Sequence, residues 1–324
     1  MCTCISFKTD DNYFGRNLDL EYRFNEKVVI TPRSYEFKQS TGNRFNTKHS
    51  IIGMATVIDN YPLYAEASNE KGLSMAGLYF PGSACFFDDD SSKLNLAPYE
   101  LIPYFLGLYS TVAEIKKILL QLNITNTPFS EKLPNTDLHW MISDGSDCLV
   151  IEQMKNGLKI YDNPIGVLTN NPPFDYHLNN INNYINLSPR NNSNSFSNKI
   201  ELNNYGQGIG AIGLPGDCSP ASRFIRAAFN KLNSVCKNDE KNSVTQFFHI
   251  LDSVAMVSGT VITEDGKNDI TSYSCCINTD KGIYYYKTYT NNQITAIRMT
   301  EREVNSKKLT IFSLAEEQQI KYKN

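Results

Sequence analysis

Residues 1–19 read MCTCISFKTDDNYFGRNLD. From Cys4 to Lys8 apolar and polar residues alternate, so Ile5 and Phe7 share a face; Thr9-Asp10-Asp11-Asn12 is turn chemistry, and YFGRNLD is a second strand-like run. The stretch predicts an N-terminal β-hairpin. It also sets Cys2 directly behind the initiator methionine, and cysteine is small enough that Met1 is expected to be trimmed. Cys2 would then carry a thiol with a reference pKa of about 8.5 and a free α-amine at about 7.7 to 8.0, a nucleophile and a base on one residue. A cysteine early in an arbitrary chain ordinarily carries no such chemistry. The second strand bears on the choice. Paired in register, it returns Arg16 and Asp19 toward the chain start, where a guanidinium favours the thiolate and a carboxylate favours the ammonium. A salt-bridged strand pair on the surface is the plain alternative.

Outward from the hairpin, β segments continue through VVITP, SIIGMATVI, LYAEAS and LSMAGLYF, the last two divided by the turn Asn69-Glu70-Lys71-Gly72. Between Ala97 and Leu122 the period changes: Ile115, Ile118, Leu119 and Leu122 form a helical stripe behind a Thr111 to Glu114 capping box. Strands return in LHWMISD, CLVIEQM and LKIYDN, separated by Asp144-Gly145 and Asn156-Gly157. Helices are expected over Ser219 to Leu232, with Ser219 as N-cap and Pro220 at the first helical position, and over Ser243 to Val257. TSYSCCIN, GIYYYKTY and QITAIRM close the chain as a meander. Sheet at both ends with helices between them predicts an α+β fold, two packed sheets with helices outside, because either half alone would leave apolar strand faces uncovered. No linker divides the 324 residues, so one domain over 1–324 is expected, with the Asn-rich segment 179–205 as a surface excursion.

Composition excludes several functions. With 31 basic and 34 acidic residues the net charge is -3, which leaves no positive excess to track nucleic acid or an anionic membrane. No signal-peptide pattern opens the chain and no apolar run has bilayer-spanning length, so the expected location is cytoplasmic. The eight cysteines are then expected as free thiols. The four histidines enter no CxxC, HxH or HExxH pattern, and no metal site or cofactor is expected. Cys4 shares the face of Cys2 and reads as packing, Cys218 as structural and His139-Trp140 as core strand.

The segments MCT, FGRNLDLEY, NEKGLSMAGLYFPG, LHWMISD, VLTNNPPFDY, GLPGDCSPASRFIRAAF, FFHIL and KGIYYYKTY together resemble the choloylglycine hydrolases, the bile salt hydrolases and penicillin V acylases within the N-terminal nucleophile hydrolases. The resemblance covers nearly the whole chain. It implies a four-layer αββα sandwich with Cys2 as nucleophile, Arg16 and Asp19 tuning and orienting it, Asn170 and the Tyr79 backbone N–H as oxyanion donors, and Arg223 as a charged support. It further implies a homotetramer, with 179–205 as the protruding segment. Tyr79 departs from the bile salt hydrolase pattern, which usually has Asn there, and matches the penicillin acylase tendency. The implied substrate is an amide of small-molecule size, a glycine- or taurine-conjugated bile salt or, as the alternative, penicillin V. Leu20, Tyr22 and Phe24 after the hairpin, with Phe129 and Leu133, are candidate apolar contacts for a steroid face. Two rivals stand beside this reading: a papain-like hydrolase using His139, His177 or His249, and a non-catalytic ligand-binding relative.

Overall fold

The computed structural model describes residues 1–324. The hairpin forms as its alternation predicts. β1 (Cys2–Lys8) and β2 (Asn12–Leu20) pair antiparallel, with Cys2 opposite Leu18 and Cys4 opposite Arg16. Opposed residues share a face, so Cys2, Cys4, Arg16 and Leu18 project to one side, and Thr3, Asn17 and Asp19 to the other.

β3 (Lys27–Thr31), a small hairpin of β4 (Glu36–Lys38) and β5 (Arg44–Asn46), β6 (Ile51–Ile58), β7 (Tyr61–Asn69) and β8 (Ser74–Tyr79) follow. A short parallel pair, β9 (Leu94–Leu96) and β10 (Leu122–Ile124), flanks helices α1 (Leu101–Leu108) and α2 (Val112–Leu119). The Thr111–Glu114 capping box opens α2. The helical stripe expected to reach Leu122 stops at Leu119, because Leu122 pairs with Leu94 in the β9/β10 ladder.

β11 (Leu138–Ser143), β12 (Cys148–Met154), β13 (Gly157–Asp162) and β14 (Val167–Leu168) precede α3 (Phe174–Asn180), α4 (Pro220–Leu232) and α5 (Glu240–Asp252). Ser219 caps α4 as expected. The helix expected over Ser243 to Val257 lies three residues earlier at its start and ends at Asp252, because Asp239 accepts from Asn242 N at 3.0 Å and serves as the N-cap. β15 (Ile270–Asn278), β16 (Ile283–Thr288), β17 (Asn291–Arg298) and β18 (Thr310–Phe312) end the chain.

Two antiparallel sheets result, in the orders β14-β1-β2-β15-β16-β17 and β13-β12-β11-β8-β7-β6-β3-β18. Leu18, Tyr273 and Cys275 of the first interdigitate with Val28, Ile30, Ile52 and Met54 of the second. On the outer faces, Phe224 and Phe247 of α4 and α5 cover the smaller sheet, and Leu101, Phe105, Ile115 and Leu119 of α1 and α2 cover the larger. The layering is αββα. Gly15 sets the tight contact at the centre of the smaller sheet: a Cβ there would lie 2.1 Å from the Cys275 carbonyl oxygen. Residues 179–205 contain one turn of 3-10 helix, Ile181–Tyr184, and expose Ile185, Phe196 and Tyr205. No helix is long and apolar enough to cross a membrane.

Candidate active site

The candidate residues gather where three β ladders stop. β14 pairs with β1 only at Leu168↔Cys4 and Val167↔Ile5, so two further pairs, Thr169 against Thr3 and then Asn170 against Cys2, would continue the ladder. On the other side, Met1 and Asp19 exchange both backbone hydrogen bonds, Asp19 N donating to Met1 O at 2.8 Å and the terminal ammonium to Asp19 O. Alternation along an antiparallel ladder then turns the N–H and C=O of Cys2 away from β2. They find no strand partner. Cys2 N donates to Asn170 Oδ1 at 2.9 Å, and Cys2 O accepts from Arg223 Nη1.

Arg223 reaches this point from α4. Its Nη2 donates to Asn170 Oδ1 at 2.7 Å, Nη1 to Thr3 Oγ1 at 2.6 Å and Nε to Cys218 O at 3.0 Å. With Oδ1 accepting from two donors, the Asn170 amide has one orientation, and its Nδ2 donates to Tyr79 O at 2.7 Å.

Tyr79 is the last residue of β8. Phe80 N donates to Asp137 O, so the neighbouring pair Tyr79↔Leu138 is not hydrogen-bonded, and both polar backbone groups of Tyr79 face away from β11. β7 stops pairing with β8 at Glu66↔Ala76 and does not cover that side. The Tyr79 N–H therefore points the same way as the carbonyl that Asn170 holds.

Arg16 fills the third opening. It crosses from β2 to the larger sheet, where Nη1 donates to Gly77 O at 2.5 Å and Ala65 O at 3.3 Å, the two carbonyls left facing each other where β7 and β8 part. Glu66 Oε2 lies 3.8 Å away and accepts from the Tyr273 hydroxyl at 2.7 Å, while Oε1 accepts from the Tyr284 hydroxyl at 2.6 Å. Burial works against the Arg16 charge, but the Cys2 thiol, Tyr273 and Glu66 outweigh it and raise its pKa. Asp19 lies on the opposite face of β2, toward α4. Its Oδ2 is 3.9 Å from Arg223 Nη1, and burial acts against both charges, raising the acid and lowering the guanidinium.

The five side chains of this floor, Cys2, Arg16, Asp19, Asn170 and Arg223, are all buried, whereas Tyr22, Tyr79 and Leu133 are 55%, 41% and 37% exposed. Burial, followed by the Glu21 carboxylate and Tyr79, raises the Tyr22 pKa. Leu133 lies in the loop entering β11, whose first residue pairs with Tyr79. Leu20 and Phe24 lean half-buried on the inter-sheet core, and Phe129 packs edge-on against Tyr61 and Tyr99 at 5.4 and 5.2 Å. Those three have packing partners within the protein, and Tyr22 and Leu133 present more open surface.

No hydrogen bond joins a histidine to a cysteine. His139 is held between Glu152 Oε1 at 2.9 Å and Thr169 O at 3.1 Å, stacked on Phe80, and His249 is an exposed residue of α5. Burial pushes His177 down to about 4, and its neutral ring donates from Nε2 to Asn170 O at 3.0 Å. The two imidazoles thus hold the successive carbonyls of Thr169 and Asn170. Cys4 is fully buried, which pushes its thiol well above the ordinary range and suits the packing role. Sequence reasoning missed Glu66 and Glu152. The signal was readable: each is an acid at an inward position of an otherwise apolar strand, where charge persists only if paired.

An αββα sandwich with a thiol on the first residue of an interior strand, at the start of the chain, is the arrangement of N-terminal nucleophile hydrolases. Comparison with known proteins narrows the class. Residues 2–312 match the model of the linear amide C–N hydrolases, choloylglycine hydrolase family. A bile salt hydrolase/transferase from Lactiplantibacillus plantarum is 49% identical over 319 residues, 98% of each chain. The crystal structure of a variant of conjugated bile acid hydrolase from Clostridium perfringens superposes with a TM-score of 0.93 at 41% identity, covering 100% of both chains. Penicillin V acylase from Agrobacterium tumefaciens shares the fold, with a TM-score of 0.74 at 18% identity over 97% of this chain and 92% of that one. The chain belongs to the choloylglycine hydrolase family.

Proposed function

We propose that the protein hydrolyses the amide bond of glycine- or taurine-conjugated bile salts, with Cys2 as nucleophile once Met1 is removed. The observation that carries the mechanism is the liberation of the Cys2 backbone from strand pairing, with Asn170 and Arg223 as its partners. The substrate rests on the bile salt activity named in relatives aligned over almost the whole chain.

The Cys2 thiolate attacks the amide carbonyl on the face of the hairpin that Arg16 shares. The tetrahedral oxygen takes the Tyr79 N–H and the second hydrogen of Asn170 Nδ2, donors already oriented before the charge develops. The α-ammonium of Cys2 gives its proton to the departing nitrogen, the C–N bond breaks, and a thioester remains. Water, deprotonated by the now neutral amine, cleaves the thioester and releases the free acid. Arg223 and Asp19 hold the strand end and the amine in place, and no metal or organic group is assigned a step.

At the mouth, Tyr22 and Leu133 offer the open apolar surface for a steroid face, with Leu20, Phe24 and Phe129 behind them. Residues 1–324 work as one unit in the cytoplasm, a reading supported by eight free thiols. The exposed Ile185, Phe196 and Tyr205 of the 179–205 excursion suit a homotetramer interface, to be checked by sedimentation. Tyr79 favours a second reading, penicillin V acylase. Comparing kcat/KM for the conjugated bile salts and penicillin V decides between them: the bile salts are expected to win by more than about tenfold, as the larger apolar area of a steroid requires. Penicillin V as the better substrate reverses the assignment.

A further inference from the structure

The residues entering β15 touch the same floor and have no part in the mechanism above. The β2/β15 ladder runs through Ile270↔Leu20 and Thr271↔Asp19 and then slips, resuming at Tyr273↔Leu18, so Ser272 is the extra residue of a bulge. The bulge re-aims Thr271. Its Oγ1 accepts from Met256 N at 2.8 Å, which leaves the hydroxyl hydrogen free to donate to Asp19 Oδ1 at 2.6 Å. One oxygen of Asp19 is thereby fixed, and the other, Oδ2, is buried without a hydrogen-bond partner.

Two residues earlier, Asp269 is 4% exposed. Its Oδ2 lies 3.3 Å from the terminal ammonium, which also donates to Asp19 O, and its Oδ1 has no partner. A cation of this chain thus already sits between the Asp19 backbone carbonyl and the Asp269 carboxylate. Excision of Met1 moves the ammonium by one residue, onto the Cys2 nitrogen, and leaves the Asp269 carboxylate without the cation it holds.

We infer that Asp269 and Thr271 are positioning residues for the mature α-amine: Thr271 locks Asp19, and the two carboxylates together hold the Cys2 ammonium that protonates the leaving group. The inference rests on the N-terminal nucleophile reading. The other charged or titratable groups at this point are Arg16 on β2, Arg223 on α4 and the Cys2 thiol on β1. Both guanidinium groups oppose an ammonium, so its charge depends on the carboxylates. Asn170 and Tyr79 contribute dipoles only.

The sign follows. A carboxylate beside the amine favours the protonated form and raises its pKa, and it disfavours the thiolate in the same direction. Its removal therefore moves the acid limb of the kcat/KM profile to lower pH. The test uses enzyme shown by intact mass to begin at Cys2. Asp269→Asn is expected to shift the acid limb down by about half a pH unit or more, the scale of one charge several ångströms away in a partly screened site, with KM little changed. Thr271→Val is expected to lower kcat by about tenfold through loss of one bond to a charged group, and Thr271→Ser to restore it. A purely structural role would reduce the yield of folded protein and leave the limb where it was. If Thr271→Val does not fold, Asp269→Asn, which keeps the side-chain volume, carries the test. Wild-type acid limbs in both variants, or Thr271→Ser as impaired as Thr271→Val, overturn the inference. Persistent turnover in Cys2→Ala would instead remove the mechanism on which it rests.

Discussion

The floor and the mouth of the site are built on opposite terms. The floor consists of ionic and amide groups removed from water, each held by bonds that arise because a strand stops: Asn170 and Arg223 where β14 leaves β1, Arg16 where β7 parts from β8, Asp19 beside the β15 bulge. A buried charge costs several kcal/mol unless paired, so each of these side chains depends on its neighbours and tolerates little change. Tyr22, Tyr79 and Leu133 at the mouth are open to solvent and make few specific bonds, and such surface can alter without disturbing the fold. The proposed chemistry belongs to the floor and the proposed substrate preference to the mouth.

Substitutions can break this contrast. Cys2→Ala is expected to abolish turnover while leaving the thermal unfolding midpoint within a few degrees, since a small buried side chain replaces another; residual hydrolysis would place the nucleophile elsewhere. Gly15→Ala sets a methyl group against the Cys275 carbonyl and is expected to cost about 3 kcal/mol or more, readable by urea denaturation. Wild-type stability would mean that β2 and β15 can separate. Asn170→Ala should lower kcat by about a hundredfold or more, the scale of one oxyanion donor, and a wild-type rate would assign that duty to another group.

At the mouth the expected effects shrink. Leu133→Ala should reduce kcat/KM for a conjugated bile salt by about fivefold, from the apolar area withdrawn, with no loss of stability; an equal loss for a small unrelated amide would deny it a steroid contact. Tyr79→Asn is expected to change bile salt turnover by no more than about threefold, because the donor is the backbone N–H and survives the exchange. The ratio of bile salt to penicillin V turnover is the sharper readout. A collapse of activity toward both would show that the Tyr79 phenol belongs to the floor.

The hairpin, the α+β layering and all five floor side chains were legible in the sequence. Cys2, Arg16 and Asp19 lie within one local motif whose register follows from a short turn, and the resemblance supplied Asn170 and Arg223. Helix ends were less legible: Leu122 left its helical stripe for a strand pairing with Leu94, and α5 took Asp239 as its cap, because long-range pairing and capping outweigh periodicity at element termini. Only the tertiary structure decided which face each charge takes. Arg16 and Asp19 are three residues apart on one strand and so point to opposite sides of the sheet, one into the space between the sheets and the other toward α4. Glu66, Glu152, Asp269 and Thr271 joined the site from β7, β12 and the entry to β15, through ladder endings and a bulge. Those depend on where two strands cease to match, and that is a property of the packed sheets that no single segment carries.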